Sequence, residues 1–210
     1  MSSNNTIYTR IVKRGFDLLI SVFAFILLSP LMLVTALAVY LDSGSPVLFK
    51  QDRIGRKGKV FQMYKFRSMI LNAEHTGSGV YSEADDDRVT RVGRFMRALS
   101  IDELPQLFNI MKGDMSLIGP RPPLTYHPWK YEQYTKEQLH MFDIRPGITG
   151  WAQINGRKAV EWHKRIELNN WYVDHVSFLL DCKILFITFF KVLSHANNVN
   201  SGSTVDSDSD

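Results

Sequence analysis

Residues 18–41 form an uncharged, strongly apolar run of roughly two dozen residues, enough to cross the hydrocarbon core of a bilayer as a helix. Ser29 and Pro30 interrupt it near the middle, where proline removes a backbone donor and its ring crowds the preceding turn. The sequence therefore predicts a membrane helix bent at Ser29-Pro30. Arg10, Lys13 and Arg14 precede the run, while Lys50, Arg53, Arg56, Lys57 and Lys59 follow it. The positive-inside rule thus marks neither flank as translocated. A re-entrant helix over residues 10–41, with both ends in the cytoplasm, satisfies both flanks, and a spanning helix with a proline kink is the alternative. A cleaved signal peptide is disfavoured, because the run exceeds a usual signal core and no small-residue cleavage site follows it.

The rest of the 210-residue chain has room for one modest domain, expected over residues 42–196, after an N-terminal tail over residues 1–9. The formal charge is +4, and Asp206, Asp208 and Asp210 sit in a tail without Lys or Arg, so the body is more basic still. A basic body beside a membrane segment suits phosphates and anionic headgroups. Nucleic acid is not expected as a partner, since no binding motif is present. Cys182 is the single cysteine, which rules out an intrachain disulfide and agrees with a reducing compartment. The six histidines show no zinc-ligand spacing.

Residues 46–51 and 59–67 read as the strands of a basic hairpin turned by Gly55-Arg56-Lys57-Gly58. The alternation along the second strand leaves its wet face undecided. Residues 72–87, with Glu83, Asp85, Asp86 and Asp87, read as a solvated polar loop rather than a cation site. Val89, Val92, Met96 and Leu99 recur at helical spacing and bring Arg91, Arg94 and Arg97 toward a pair of carboxylates, Asp102 and Glu103. Arg97 lies nearest the pair.

That pair falls at the expected start of a short helix, where unpaired N–H groups attract phosphate oxygens. Ser100-x-x-Glu103 is also a capping box, so capping and catalysis compete as explanations on local grounds. Pro105 would remove an N–H donor that Asp102 would use as a cap. Residues 118–123, Ile-Gly-Pro-Arg-Pro-Pro, read as a stiff loop presenting Arg121, and residues 145–157 as a second, glycine-rich loop with Trp151 and a terminal Arg157. Helices are expected over 161–171 and 178–193, the second either a core or an interfacial helix, and the acidic tail 197–210 is expected to be disordered.

Taken in order, these motifs resemble the bacterial sugar transferases, the monotopic phosphoglycosyl transferases. The matching elements are Lys13-Arg14-Gly15-Phe16-Asp17, Ser29-Pro30, Asp52-Arg53-Ile54-Gly55, Tyr64-Lys65-Phe66-Arg67-Ser68-Met69, Asp102-Glu103-Leu104-Pro105-Gln106 and Gly113-Asp114-Met115-Ser116. Gly119-Pro120-Arg121-Pro122, Arg145-Pro146-Gly147-Ile148-Thr149-Gly150-Trp151 and the late Asp174, Ser177 and Asp181 complete the set.

The resemblance, which is to the minimal members, implies an α+β fold: a re-entrant membrane helix, then a small, mainly helical catalytic domain with a short β-hairpin. It implies transfer of a phosphosugar from a UDP-sugar to a polyprenyl phosphate, undecaprenyl phosphate foremost, with magnesium and release of UMP. The site would lie at the cytoplasmic face of the bacterial inner membrane. It implies Asp102 as nucleophile and Glu103 as its partner at the metal, with Lys65, Arg97, Pro120, Arg121, Pro122 and Arg157 around phosphate or nucleotide. A sugar transferase releasing UDP and a non-catalytic membrane scaffold are the competing readings. The sugar and any homo-oligomer are left open.

Overall fold

The computed structural model describes residues 8–76, 79, 86–155 and 161–193. Its first long element, helix α1 (Lys13–Ser43), has inverted polarity. Its buried residues include Lys13, Asp17, Ser21 and Thr35, whereas Leu19, Phe23, Ile26, Leu27, Leu33, Val34, Leu37 and Leu41 point outward. A helix apolar on its outer face is built for lipid. It runs through Pro30, whose missing N–H leaves the Ile26 carbonyl without its helical donor; the Ser29 hydroxyl donates to that carbonyl instead, at 2.8 Å.

Both ends of α1 are fastened to the same body. At the start, Lys13 Nζ lies 2.6 Å from Asp181 Oδ2, and Asp181 also accepts from Tyr8 and Tyr172 hydroxyls at 2.6 and 2.5 Å. Asp17 accepts from the Leu117 N–H at 3.0 Å. At the end, Gly44 (φ 77°) closes the helix with its N–H on Tyr40 O, and Arg67 Nη2 donates to the carbonyls of Ser43 and Gly44 at 2.6 and 2.8 Å. A cation at a helix C-terminus meets the negative end of its dipole.

The expected hairpin is present as β1 (Leu48–Ile54) and β2 (Val60–Phe66), antiparallel from Leu48↔Phe66 to Ile54↔Val60. Phe61 and Met63 are buried while Val60 and Gln62 are exposed, which settles the wet face over the first half of β2; Phe66, on the opposite face, is buried in a separate cluster. Helix α2 (Arg91–Ala98) follows, capped by Thr90, whose hydroxyl accepts from the Gly93 N–H at 3.0 Å. Helix α3 (Gln106–Lys112) then covers β2. Its fully buried Asn109 takes the place of a third strand: Oδ1 accepts from Tyr64 N–H at 3.0 Å and Nδ2 donates to Gln62 O at 2.7 Å.

The two loops expected over 118–123 and 145–157 are more ordered than that. Strands β3 (Ser116–Ile118) and β4 (Gly147–Thr149) pair in parallel, and helix α4 (Trp151–Ile154) follows. A Cβ on Gly147 would stand 2.1 Å from Gly119 N, so this close pairing needs a residue without a side chain. Helix α6 (Phe178–Leu193) matches its expected segment, whereas α5 (Trp162–His175) runs four residues past the expected end at 171. The acidic loop needs correction at Asp86: its carboxylate grips Arg88 at 2.7 Å, and Arg88 Nη1 reaches the carbonyls of Ala73, Thr76 and Gly79. Glu83 and Asp85, like the tails 1–7 and 197–210, lie outside the described residues.

One buried cluster joins Phe61 and Met63 to Leu107, Ile110, Met115, Tyr172 and Ile184, with Ile20, Ala24 and Phe25 of α1 packed on it. Another joins Val39 of α1 to Phe66 and Met96. The α+β class and the long apolar N-terminal helix are therefore as expected.

Candidate active site

Asp102 and Glu103 sit on a single 3-10 turn, Ile101–Glu103, between α2 and α3. Ser100 enters that turn in the left-handed region (φ 57°) and makes no side-chain cap hydrogen bond, so the capping box is not formed. α3 begins after Pro105, which supplies the fixed φ of a helix start without needing a donor. The turn is thus spare for chemistry.

It opens on a cavity of about 880 Å³ lined by Lys65, Arg67, Arg97, Asp102, Glu103, Arg121 and Pro122 among others. Asp102 is buried in its wall. Glu103 Oε1 accepts from Lys65 Nζ at 2.7 Å and lies 3.8 Å from Arg121 Nη1. Lys65 comes from the end of β2, Arg97 from the last turn of α2, and Arg121 from the loop after β3. Arg91 and Arg94, on other faces of α2, are exposed. A glycine decides how near α2 comes, for a Cβ on Gly93 would lie 2.0 Å from Ser68 O.

The Arg121 loop is stapled to β1. Arg53 Nη1 donates to Pro122 O at 3.1 Å, and Ile54 N–H donates to Pro123 O at 3.0 Å. Burial, and then the like charge of Arg121, disfavour the charged form of Arg53. Such a cationic rim is stabilised by an arriving anion. Pro120 does not line the cavity; its carbonyl accepts the Gly147 N–H at 2.9 Å. Arg157 lies outside the described residues.

Two cavity residues escaped sequence reasoning as site residues. Arg67 was visible as part of a motif, but its place between the cavity and the end of α1 depends on folding. Arg53 was read as a flanking charge and as part of a motif, with no role at the site.

The donor set suits a hard cation sparingly. Asp102 and Glu103 offer carboxylate oxygens, and the described residues contain no cluster of three or more His, Cys, Asp or Glu that could hold a metal ion. Magnesium takes one or two carboxylates and fills its other positions from substrate phosphate and water, so the pair fits that ion.

A family model described as bacterial sugar transferase matches residues 8–195. The chain belongs to that family. Among bacterial sugar transferases, it is 50% identical over 184 residues to the uncharacterized sugar transferase EpsL of Bacillus subtilis, covering 87% of this chain and 88% of that one. It is 44% identical to the UDP-N-acetylgalactosamine-undecaprenyl-phosphate N-acetylgalactosaminephosphotransferase of Aeromonas hydrophila, covering 87% of this chain and 44% of the relative. It is 40% identical to the UDP-glucose:undecaprenyl-phosphate glucose-1-phosphate transferase of Escherichia coli, covering 87% of this chain and 40% of that relative. The chain thus spans less than half of the two relatives whose substrates are named.

Proposed function

We propose that this chain is a phosphoglycosyl transferase that moves a sugar 1-phosphate from a UDP-sugar to undecaprenyl phosphate, or a similar polyprenyl phosphate, and releases UMP. What carries the reading is one juxtaposition: a buried aspartate beside a glutamate, in a cavity rimmed by Lys65, Arg67, Arg97 and Arg121. The substrate names of the two relatives above supply the donor and acceptor classes.

In this mechanism Arg97 and Arg121 grip the diphosphate oxygens, and Lys65 stays within reach of both Glu103 and the substrate. An Asp102 carboxylate oxygen attacks the sugar-bearing phosphorus in line. The bond to the bridging oxygen breaks, and UMP leaves with that oxygen. The resulting aspartyl-phosphosugar is attacked at the same phosphorus by an oxygen of the lipid phosphate, which frees the Asp102 carboxylate and yields a polyprenyl diphosphosugar. Asp102 and Glu103 would hold magnesium, which when bound supplies charge neutralisation of the diphosphate.

The acceptor is a membrane lipid, and the same reading takes α1 as re-entrant. Its support is that the polar contacts at both ends of α1 reach one body, at Asp181 and at Arg67. Two ends fastened to one water-exposed body belong on one side of a bilayer, and the basic flanks make that side cytoplasmic. The catalytic body then rests on the inner face of the bacterial cytoplasmic membrane.

The test is turnover of the full chain with a panel of UDP-sugars, undecaprenyl phosphate and magnesium. UMP is expected as the nucleotide product. Asp102→Asn should lower the rate by at least about a thousandfold and abolish a labelled phosphosugar adduct, and Glu103→Gln should weaken the response to magnesium. Release of UDP, or full activity in Asp102→Asn, overturns the mechanism.

A further inference from the structure

A second basic pocket, of about 320 Å³, shares no lining residue with the Asp102 cavity. Its walls are Gly55, Arg56, Lys57 and Lys59 from the hairpin turn, Phe61 below them, Gly113 and Asp114 after α3, and Arg145 ahead of β4. Four cations therefore face one carboxylate, and that carboxylate, Asp114, already lies 3.2 Å from Lys112. The nearby Asp143 turns its own carboxylate to His140 at 2.8 Å.

Arg145 is partly buried and Arg56 exposed, and a backbone carbonyl orients each. Arg145 Nε donates to Gly113 O at 3.0 Å and Arg56 Nε to Asp143 O at 2.9 Å. Among the described residues their terminal Nη groups make no hydrogen bond, so each guanidinium is oriented by one edge and offers the other. Arg14 does not line the pocket but reaches its Gly113 wall: its Nη1 and Nη2 donate to Ile110 O and Met111 O, and Nη2 lies 3.4 Å from where a Gly113 Cβ would stand. Burial, and then the like charges of Arg14 and Arg56, push the charged form of Arg145 in the unfavourable direction. Two oriented arginines and two lysines around a small volume suit a compact, strongly charged anion with several acceptor oxygens. A phosphate group meets that need and accepts from arginine forks.

The location names the source. Arg14 sits one turn before the uncharged run, next to the outward-facing Phe16 and Leu19 of α1. The pocket wall at Gly113 is therefore level with the point where α1 meets lipid. We infer that this pocket binds the phosphate of an anionic phospholipid headgroup, as a site separate from the catalytic cavity.

Native mass spectrometry of the detergent-solubilised full chain tests it, with phosphatidylglycerol and phosphatidylcholine offered together. The parent should retain one phosphatidylglycerol in preference, and Arg56→Gln/Arg145→Gln should lose that preference by roughly tenfold or more. Lys57→Gln/Lys59→Gln is the companion variant, because both lysines lie on the exposed turn and leave the carbonyl contacts intact; it should lose preference in the same direction. Glycerol 1-phosphate provides the soluble arm. If it raises the thermal midpoint of the parent but not of the variants, and phosphatidylglycerol is not preferred, the pocket takes phosphate from solution rather than from lipid, and the headgroup assignment is overturned. Equal retention of both lipids with no response to glycerol 1-phosphate removes the site altogether. UMP release is followed in parallel on every variant, so a failed lipid site and a failed transferase reading give different results.

Discussion

Replacing Lys13 by Met tests how the membrane helix is held. The Lys13 and Asp181 side chains are 10% and 6% exposed, so their charges meet with little solvent between them. Removing one partner of such a pair costs about 3–5 kcal/mol, because the other charge stays buried. Here the Tyr8 and Tyr172 hydroxyls remain on Asp181, each a donor whose proton burial, and then Asp181, hold in place. That lowers the expected loss to about 2–3 kcal/mol. For a chain of this size each kcal/mol moves the thermal midpoint by about 2–4 °C, giving a fall of roughly 4–12 °C. Removing both charges in Lys13→Met/Asp181→Asn should recover at least half of it, since no unpaired charge is left behind and the amide can still take part in hydrogen bonds with the tyrosine hydroxyls. The assay is thermal unfolding of the full chain in nanodiscs of one lipid composition, read by tryptophan fluorescence. A Lys13→Met midpoint equal to the parent's, or single-variant effects that simply add, would refute the reasoning.

Three further outcomes are expected. Gly93→Ala drives a methyl into the Ser68 carbonyl, so α2 must shift and carry Arg97 with it; both midpoint and UMP release should fall, and an unchanged rate would show that Arg97 needs no such placement. Single cysteines at Ser3 and Ser45, in a Cys182→Ser background, should both resist an impermeant thiol reagent on intact cells. Pro30→Leu, which restores the backbone donor, should expose one of them, and labelling of either in the parent rejects the re-entrant helix. His140 bridges Asp143 and Asp174 at 2.8 and 2.9 Å; burial opposes its charge, but its hydrogen bonds to the carboxylates of Asp174 and Asp143 prevail and raise its pKa. Its contribution is therefore full below about pH 6.5 and fades as pH rises through the raised value. The midpoint gap between parent and His140→Gln should shrink in that direction, and a pH-independent gap would count against it.

The features legible in the sequence are those written locally. The apolar run, the hairpin about Gly55-Arg56-Lys57-Gly58 and the two C-terminal helices each carry their own periodicity or breaker residues. Strands β3 and β4 do not, because three-residue strands among prolines and glycines are specified by how closely Gly119 and Gly147 approach across 28 positions of chain. Asp86 looked solvated because its partner, Arg88, folds back on carbonyls that a sequence does not display. The capping box at Ser100 failed for a conformational reason, the positive φ of the serine itself. Within the site, Asp102 and Glu103 stood out by adjacency. Helical spacing brought Arg97 toward them, Lys65 and Arg121 could be assigned to them only through the ordered motifs, and folding brings all three to one cavity.

The way α1 packs has a consequence for how this enzyme can exist in a cell. Ile20, Ala24, Phe25, Met32, Ala36 and Val39 are part of the same hydrophobic clusters as the strands and helices that carry the site. Cutting the chain after Ser43 would strip those clusters, take Lys13 and Tyr8 from Asp181 and take the Ser43 carbonyl from Arg67. A proteolysed, freely diffusing form would thus lose its fold along with its address, so activity cannot leak away from the membrane.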